Sequence, residues 1–344
     1  MLRQLCILAL AFSAGTVHAA CGTPAQLDPL IAVSEQARTV LLRRDFKAID
    51  RMAAEFQRRH ALLADGQPAN KAMYNGLKSP VTCDGTAEES KWIAQGEALA
   101  KWRAASPASH AARLASAYFE LASAWHARGT GAGGTLTEQQ VTGMREHAEQ
   151  ARQMLYAMPL AVRADEQWYV IALELALAQG LDPEHFERLF DEAVKRFPNS
   201  YDIYYAKSQY LSPKWYGSQA EQRAFIEASA SRKSLIAPYL YARLVWFEGD
   251  WLPFTSGLAD WPRMKASVGA LVTKYPNVLW ANRYANLACV ASDVPVLKAQ
   301  LEKLGGDLNA LAWRGGAATV QYCQATAEGK QCFTRQSTGK TFCE

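Results

Sequence analysis

The chain reads as all-α, built from stacked helix pairs, with a small disulfide-stapled β-hairpin at its C-terminal end. Three observations predict this. Amphipathic runs twice end in an aromatic followed by proline, at Arg196-Phe197-Pro198-Asn199 and at Lys274-Tyr275-Pro276-Asn277. Proline there stops one helix and starts the next, the punctuation of tetratricopeptide-like solenoids, in which each pair buries its apolar stripe only against a neighbour. Strand-like alternation is absent until the last dozen residues, and apolar residues recur at spacings of three and four almost everywhere else.

Residues 1–20 carry the marks of a secretory signal: Arg3, an apolar stretch from Leu5 to Phe12, and the small residues Ala19 and Ala20. Later segments lack the unbroken run of about 20 apolar residues that spans a bilayer. Residues 21–315 are expected to form the helical-repeat domain and 316–344 a Cys-rich tail. A periplasmic or secreted location follows. Cys21 directly after the signal would also suit a lipid anchor, but His18 stands where that signal wants an aliphatic residue, so soluble export is favoured.

Asp28-Pro29 opens the first helix and Asp45 caps a second, whose Phe46, Ile49, Ala53 and Phe56 share one face. From Asp65-Gly66 through Pro80, Cys83 and Gly85 the pattern breaks into a long connection. Helix returns near Glu88. Leu114, Tyr118, Leu121 and Trp125 form the next stripe, closed by Arg128-Gly129. Thr137 with Gln140 is a capping box, and Asp182-Pro183 starts a helix that turns Phe186, Leu189, Phe190 and Ala193 inward. Helices follow over Tyr201 to Tyr210, near Ala220 to Ala230, Ser234 to Phe247, Pro262 to Tyr275, Leu279 to Ala291 and Val294 to Leu304. Roughly eleven helices in all make one α-solenoid whose repeats depart from the strict tetratricopeptide consensus.

Several stretches together resemble a family of uncharacterised bacterial exported proteins carrying a domain of unknown function with tetratricopeptide-like helices. They are Arg44-Asp45-Phe46 with Ile49-Asp50, Asp65-Gly66 with Tyr74-Asn75-Gly76-Leu77, Ala124-Trp125-His126-Ala127-Arg128-Gly129, Gln167-Trp168-Tyr169, and Tyr210-Leu211 leading into Pro213-Lys214-Trp215-Tyr216-Gly217-Ser218. The last run is the most specific; the family usually has glycine where Tyr216 stands. The resemblance implies helical repeats and transfers no catalytic residue.

Of seven cysteines, Cys6 leaves with the signal, and an even six in an exported chain favours disulfides over metal thiolates. Folding the tail about Gln336-Ser337-Thr338-Gly339 sets Cys332 opposite Cys343 and predicts a bridge. Cys21, Cys83, Cys289 and Cys323 allow three pairings. Loop closure favours Cys21 with Cys83 and Cys289 with Cys323.

The formal charge of +4 becomes +3 when Arg3 is removed. Basic residues lie among acids, as Arg43-Arg44 beside Asp45 and Arg58-Arg59 near Glu55, which argues against a nucleic-acid partner. Gly129-Thr130-Gly131-Ala132-Gly133-Gly134 matches a dinucleotide-binding spelling, but a helix rather than a strand precedes it, so it reads as a linker and no cofactor is expected. No Gly-x-Ser-x-Gly, His-Glu-x-x-His or Cys-x-x-Cys occurs, and His60, His110, His126, His147 and His185 show no metal-ligand spacing. Glu88-Glu89 and Asp191-Glu192 are sequence neighbours that diverge on a helix.

Aromatics carry the remaining signal. Tyr201, Tyr204, Tyr205 and Tyr210, with Trp215 and Tyr216 beyond, crowd one region and either pack between repeats or anchor a partner. Arg128, beside the glycine loop, either caps carbonyls or meets an anion. The binding candidates are therefore Arg128, Tyr201, Tyr204, Tyr205, Trp215 and Tyr216, for a protein or peptide ligand without catalysis. The alternative is an envelope-polymer hydrolase or transferase using carboxylates from different helices.

Overall fold

A computed structural model describes residues 29–81, 87–131, 133–330, 332–335 and 340–343. The chain is all-helical in its body. Helices run over Pro29–Leu42 (α1), Phe46–Arg59 (α2), Ala69–Lys78 (α3), Glu89–Ala105 (α4), His110–Arg128 (α5), Glu138–Tyr156 (α6), Leu160–Arg163 (α7) and Glu166–Gln179 (α8). They continue over Pro183–Arg196 (α9), Tyr201–Tyr210 (α10), Gln219–Ala230 (α11), Ala237–Phe247 (α12), Trp261–Lys274 (α13), Val278–Val290 (α14), Val294–Leu304 (α15) and Gly316–Ala327 (α16). At the end, Cys332–Arg335 (β1) pairs antiparallel with Lys340–Cys343 (β2), Cys332 opposite Cys343.

Local signals set most helix starts. Asp45 accepts a hydrogen bond from the Ala48 amide, Asp182 from His185, and Asn277 from Leu279 and Trp280. Thr137 and Gln140 form the full reciprocal capping box. Both aromatic-proline junctions join consecutive helices: Phe197 ends α9 before α10, and Tyr275 ends α13 before α14.

The sixteen helices among the described residues exceed the roughly eleven read from the sequence, and three of them, α3, the single-turn α7 and α16, were not read as helices. Residues 69–78, read as connection, form α3, which buries Met73, Tyr74 and Leu77 against α1 and α5. Asn75 and Gly76 weaken its intrinsic propensity, so tertiary packing makes this helix. Gly76 is required for it: a Cβ there would stand 2.0 Å from the Ser34 carbonyl oxygen of α1. The tail likewise begins with α16, which buries Val320 and Cys323 beside α14 and α15.

Sequential helices pack on one another along most of the chain, including α5 on α6, α12 on α13 and α14 on α15. The loop between α2 and α3 breaks this order. Its Asp65, 0% exposed, meets Arg243 of α12, 1% exposed, at 3.4 Å and across 178 residues of sequence. Arg243 also donates to the Asp65 carbonyl oxygen. Beside them Gly66 (φ +82°) lies so close to Tyr275 that a Cβ would fall 2.5 Å from its ring. The early loop is thereby held against the far half of the helical body, and α3 becomes an inner wall.

Cys289 and Cys323 form a disulfide with Cα atoms 5.8 Å apart, joining α14 to α16, the pairing that loop closure favours. Cys21 and Cys83 lie outside the described residues, as do the side chains of Cys332 and Cys343. Among the described residues no helix is long and apolar enough to cross a membrane.

Candidate functional site

Helices α3, α5, α8 and α10 frame an open cavity of about 490 Å³, closed at one side by the segment after α10 and by Phe247 of α12. Two further cavities share its walls. One, of about 330 Å³, has Lys78, Tyr118, Trp125 and Glu174 in common with it and extends to Trp92 and His126. The other, of about 510 Å³, shares Gln209, Lys214, Trp215 and Phe247 and extends to Glu248 and Asp250. The three cavities adjoin one another as parts of a groove, with Trp125 on the wall shared by the first two and Trp215 on the wall shared by the first and third.

The two tryptophans touch edge to face, with ring centroids 5.2 Å apart. Arg128 places its guanidinium 5.6 Å from the Trp215 centroid, and Lys214 its ammonium at 5.5 Å. Arg128 is held there by donating to the carbonyls of Gly129 and Gly131, at 3.1 Å each. Those carbonyls are presented because Gly129, at φ +68°, ends α5 in a backbone form open to glycine. Gly129 and Gly131 thus orient Arg128.

Two carboxylates face the groove from different helices, and each is met by a lysine of α3. Lys71 pairs with Asp202 of α10 at 2.5 Å and lies 4.5 Å over the Tyr205 ring. Burial pulls the Lys71 pKa down, but Asp202 and then Tyr205 outweigh it, so the ammonium is held charged above its usual range. Lys78 donates to the Tyr118 hydroxyl at 2.7 Å, and that hydroxyl donates to Glu174 of α8 at 2.6 Å, with Lys78 itself 3.9 Å from Glu174. Burial, reinforced by Glu174, drives the Tyr118 pKa well above its ordinary value, so it remains a neutral donor. Behind this wall Glu166 has its pKa raised to about 7, first by burial and then by Asp202 and Asp165.

Of the residues singled out in the sequence, Arg128, Tyr205 and Trp215 line the main cavity together. Tyr205 is 8% exposed and stacks on Phe247 at 4.4 Å. Tyr201 and Tyr204 are buried and pack between helices, Tyr201 under Arg243 and Tyr204 against Phe190 and Phe225. Tyr216 does not line the groove. Its hydroxyl donates to the Leu177 carbonyl near the end of α8, and its ring rests on Tyr210. Gly217 beside it must lack a side chain, since a Cβ would stand 2.3 Å from the Leu211 oxygen.

Lys71, Lys78, Glu174 and Asp202 were not distinguishable in the sequence, because each is an ordinary charge on a helix until the helices meet. Asn75, Trp125, Gln167 and Lys214 also line this cavity beside Arg128 and Trp215. Among the described residues no group of three or more His, Cys, Asp or Glu is placed to hold a metal ion. No protein-family model, curated protein or solved structure matches the chain.

Proposed function

We propose that this chain is an exported scaffold of tetratricopeptide-like helix pairs, finished by a disulfide-stapled hairpin, that holds a protein or peptide segment of the bacterial cell envelope in its groove without chemical turnover. The observation that carries the reading is the groove itself: three cavities sharing walls, with an indole on each shared wall and fixed charges along the floor. Aromatic and arginine side chains supply most of the energy in protein recognition. Helix-mounted groups lose little entropy on binding, which favours affinity from a shallow surface. Export is supported by the N-terminal sequence, by the resemblance to exported proteins and by the Cys289–Cys323 bridge. A lipid anchor at Cys21 is the less favoured form, and mass spectrometry of the mature N-terminus distinguishes the two.

The test is selection from a random peptide display library on the immobilised chain, followed by titration of the selected peptides against wild type and Trp215→Ala. Peptides whose binding requires Trp215 support the reading; failure to enrich any such peptide refutes it. The second reading, hydrolysis of an envelope polymer, is favoured by Glu174 and Asp202 facing one cavity. Their engagement by Lys71, 2.5 Å from Asp202, and Lys78, 3.9 Å from Glu174, disfavours it, since each carboxylate already has a partner within the protein. Release of reducing ends from peptidoglycan, abolished by Glu174→Gln or Asp202→Asn, would establish it.

A further inference from the structure

The main cavity carries unequal charge. Lys71, Lys78, Arg128 and Lys214 line it against Glu174 and Asp202, four cations to two carboxylates, a surplus of two positive charges. The surplus is localised. Lys71 and Lys78 are matched to Asp202 and Glu174, whereas neither Arg128 nor Lys214 forms an ion pair with a described residue. Both sit within 6 Å of the Trp215 ring centroid. Arg128 spends one nitrogen on the Gly129 and Gly131 carbonyls. A guanidinium has five donors, so the rest remain available to an acceptor.

Two uncharged groups complete the picture. The side-chain amides of Asn75 and Gln209 line the same cavity and hydrogen bond to no described residue. A primary amide both donates and accepts, which matches the paired N–H and C=O of an extended peptide. Val170 and Leu177, both largely buried, also contribute to its lining.

We propose that Arg128 and Lys214 form an anion subsite beside Trp215 that takes the side-chain carboxylate of an acidic peptide segment. The neighbouring apolar side chain of that segment lies on Trp125 and Trp215, and its backbone on Asn75 and Gln209. The inference rests on the peptide-binding reading above and names its ligand class. An acidic peptide is preferred to an anionic sugar because the side-chain amides of Asn75 and Gln209 match the paired donor and acceptor of an extended backbone, a preference that polygalacturonate tests below. Nucleic acid fits worse still, since a surplus of two charges in one cavity is far short of a phosphate-tracking surface.

The experiment is fluorescence anisotropy with a fluorescein-labelled peptide alternating glutamate and phenylalanine, beside its glutamine-phenylalanine counterpart and polygalacturonate as the anionic sugar. The glutamate peptide is expected to bind about tenfold or more tightly than the glutamine one, the weight of a charge-assisted hydrogen bond. That advantage should shrink with added salt. Arg128→Gln and Lys214→Gln should each remove most of it, while Lys298→Gln, an exposed lysine of α15 with the same charge change, should not. Lys214 has no hydrogen-bond partner among the described residues, so its variant reports on binding even if Arg128→Gln disturbs the glycine loop. Equal binding of both peptides, still dependent on Trp215, would overturn the anion subsite and leave the groove intact. Preference for polygalacturonate over the glutamate peptide would overturn the peptide class. Binding of none of the three would overturn the inference, and display selection then decides the groove reading separately.

Discussion

Cutting the Asp65–Arg243 contact should unlatch the early loop from the far half of the molecule. The pair is among the most buried in the chain, at 0% and 1% exposure. Asp65 accepts from Arg243, from the Gln67 amide at 3.0 Å and from the Gln67 side chain at 2.8 Å. The guanidinium in turn lies 4.5 Å from the Tyr201 ring centroid and 5.3 Å from that of Trp280. Removing one member leaves the other charged, buried and unpaired, which costs about 3–5 kcal/mol. Replacing both with uncharged groups costs much less, because no orphan charge remains. Asp65→Asn and Arg243→Met should therefore each destabilise by about 3 kcal/mol or more, and the double variant by clearly less than their sum. Urea denaturation of the four proteins measures this, provided the slopes agree. Additive effects, or single losses below about 1 kcal/mol as for an exposed pair, would refute the latch.

Acid adds a second signature. Burial raises the Asp65 pKa, but Arg243 and then the Gln67 bonds outweigh it, leaving the carboxyl below its usual 3.8. Its folded pKa being depressed, its contribution is complete above the unfolded value and is lost as pH falls through the lower folded one. Asp65→Asn should accordingly flatten the stability profile below about pH 4.

Three more outcomes are expected. Gly76→Ala, which would push a methyl to 2.0 Å from the Ser34 carbonyl, should cost about 3 kcal/mol by forcing α1 from α3, read as a lowered thermal midpoint. Glu166→Gln should gain stability at pH 8 by about 1–3 kcal/mol, because the folded pKa near 7 exceeds the unfolded 4.5 and stability falls as pH rises between them; an unchanged pH profile would contradict this. Replacing both Cys289 and Cys323 with alanine releases a loop spanning 34 residues and should cost up to about 4 kcal/mol in urea denaturation, with little change in groove binding.

Legibility followed distance along the chain. Asp45, Thr137 with Gln140 and Asp182-Pro183 announced their helices because a cap bonds an amide two or three residues away, inside the window that a sequence displays. The aromatic-proline junctions were visible for the same reason. The third helix was not, since Asn75 and Gly76 argue against it locally and only the fit to Ser34 on α1 explains the glycine. Arg128, Tyr205 and Trp215 could be named from composition, but Lys71, Lys78, Glu174 and Asp202 became a site only through pairings between α3, α8 and α10.

The sequence by itself determined the all-helical class and most helix boundaries and favoured Cys289–Cys323 among three possible pairings, all matters of short-range hydrogen bonding, side-chain periodicity and loop closure. Tertiary structure alone decided that Asp65 meets a residue 178 positions away, which tyrosines are buried and which line a wall, and where the groove runs. Burial and charge pairing are properties of surfaces that face each other in space, and the chain acquires those surfaces only when its helices pack.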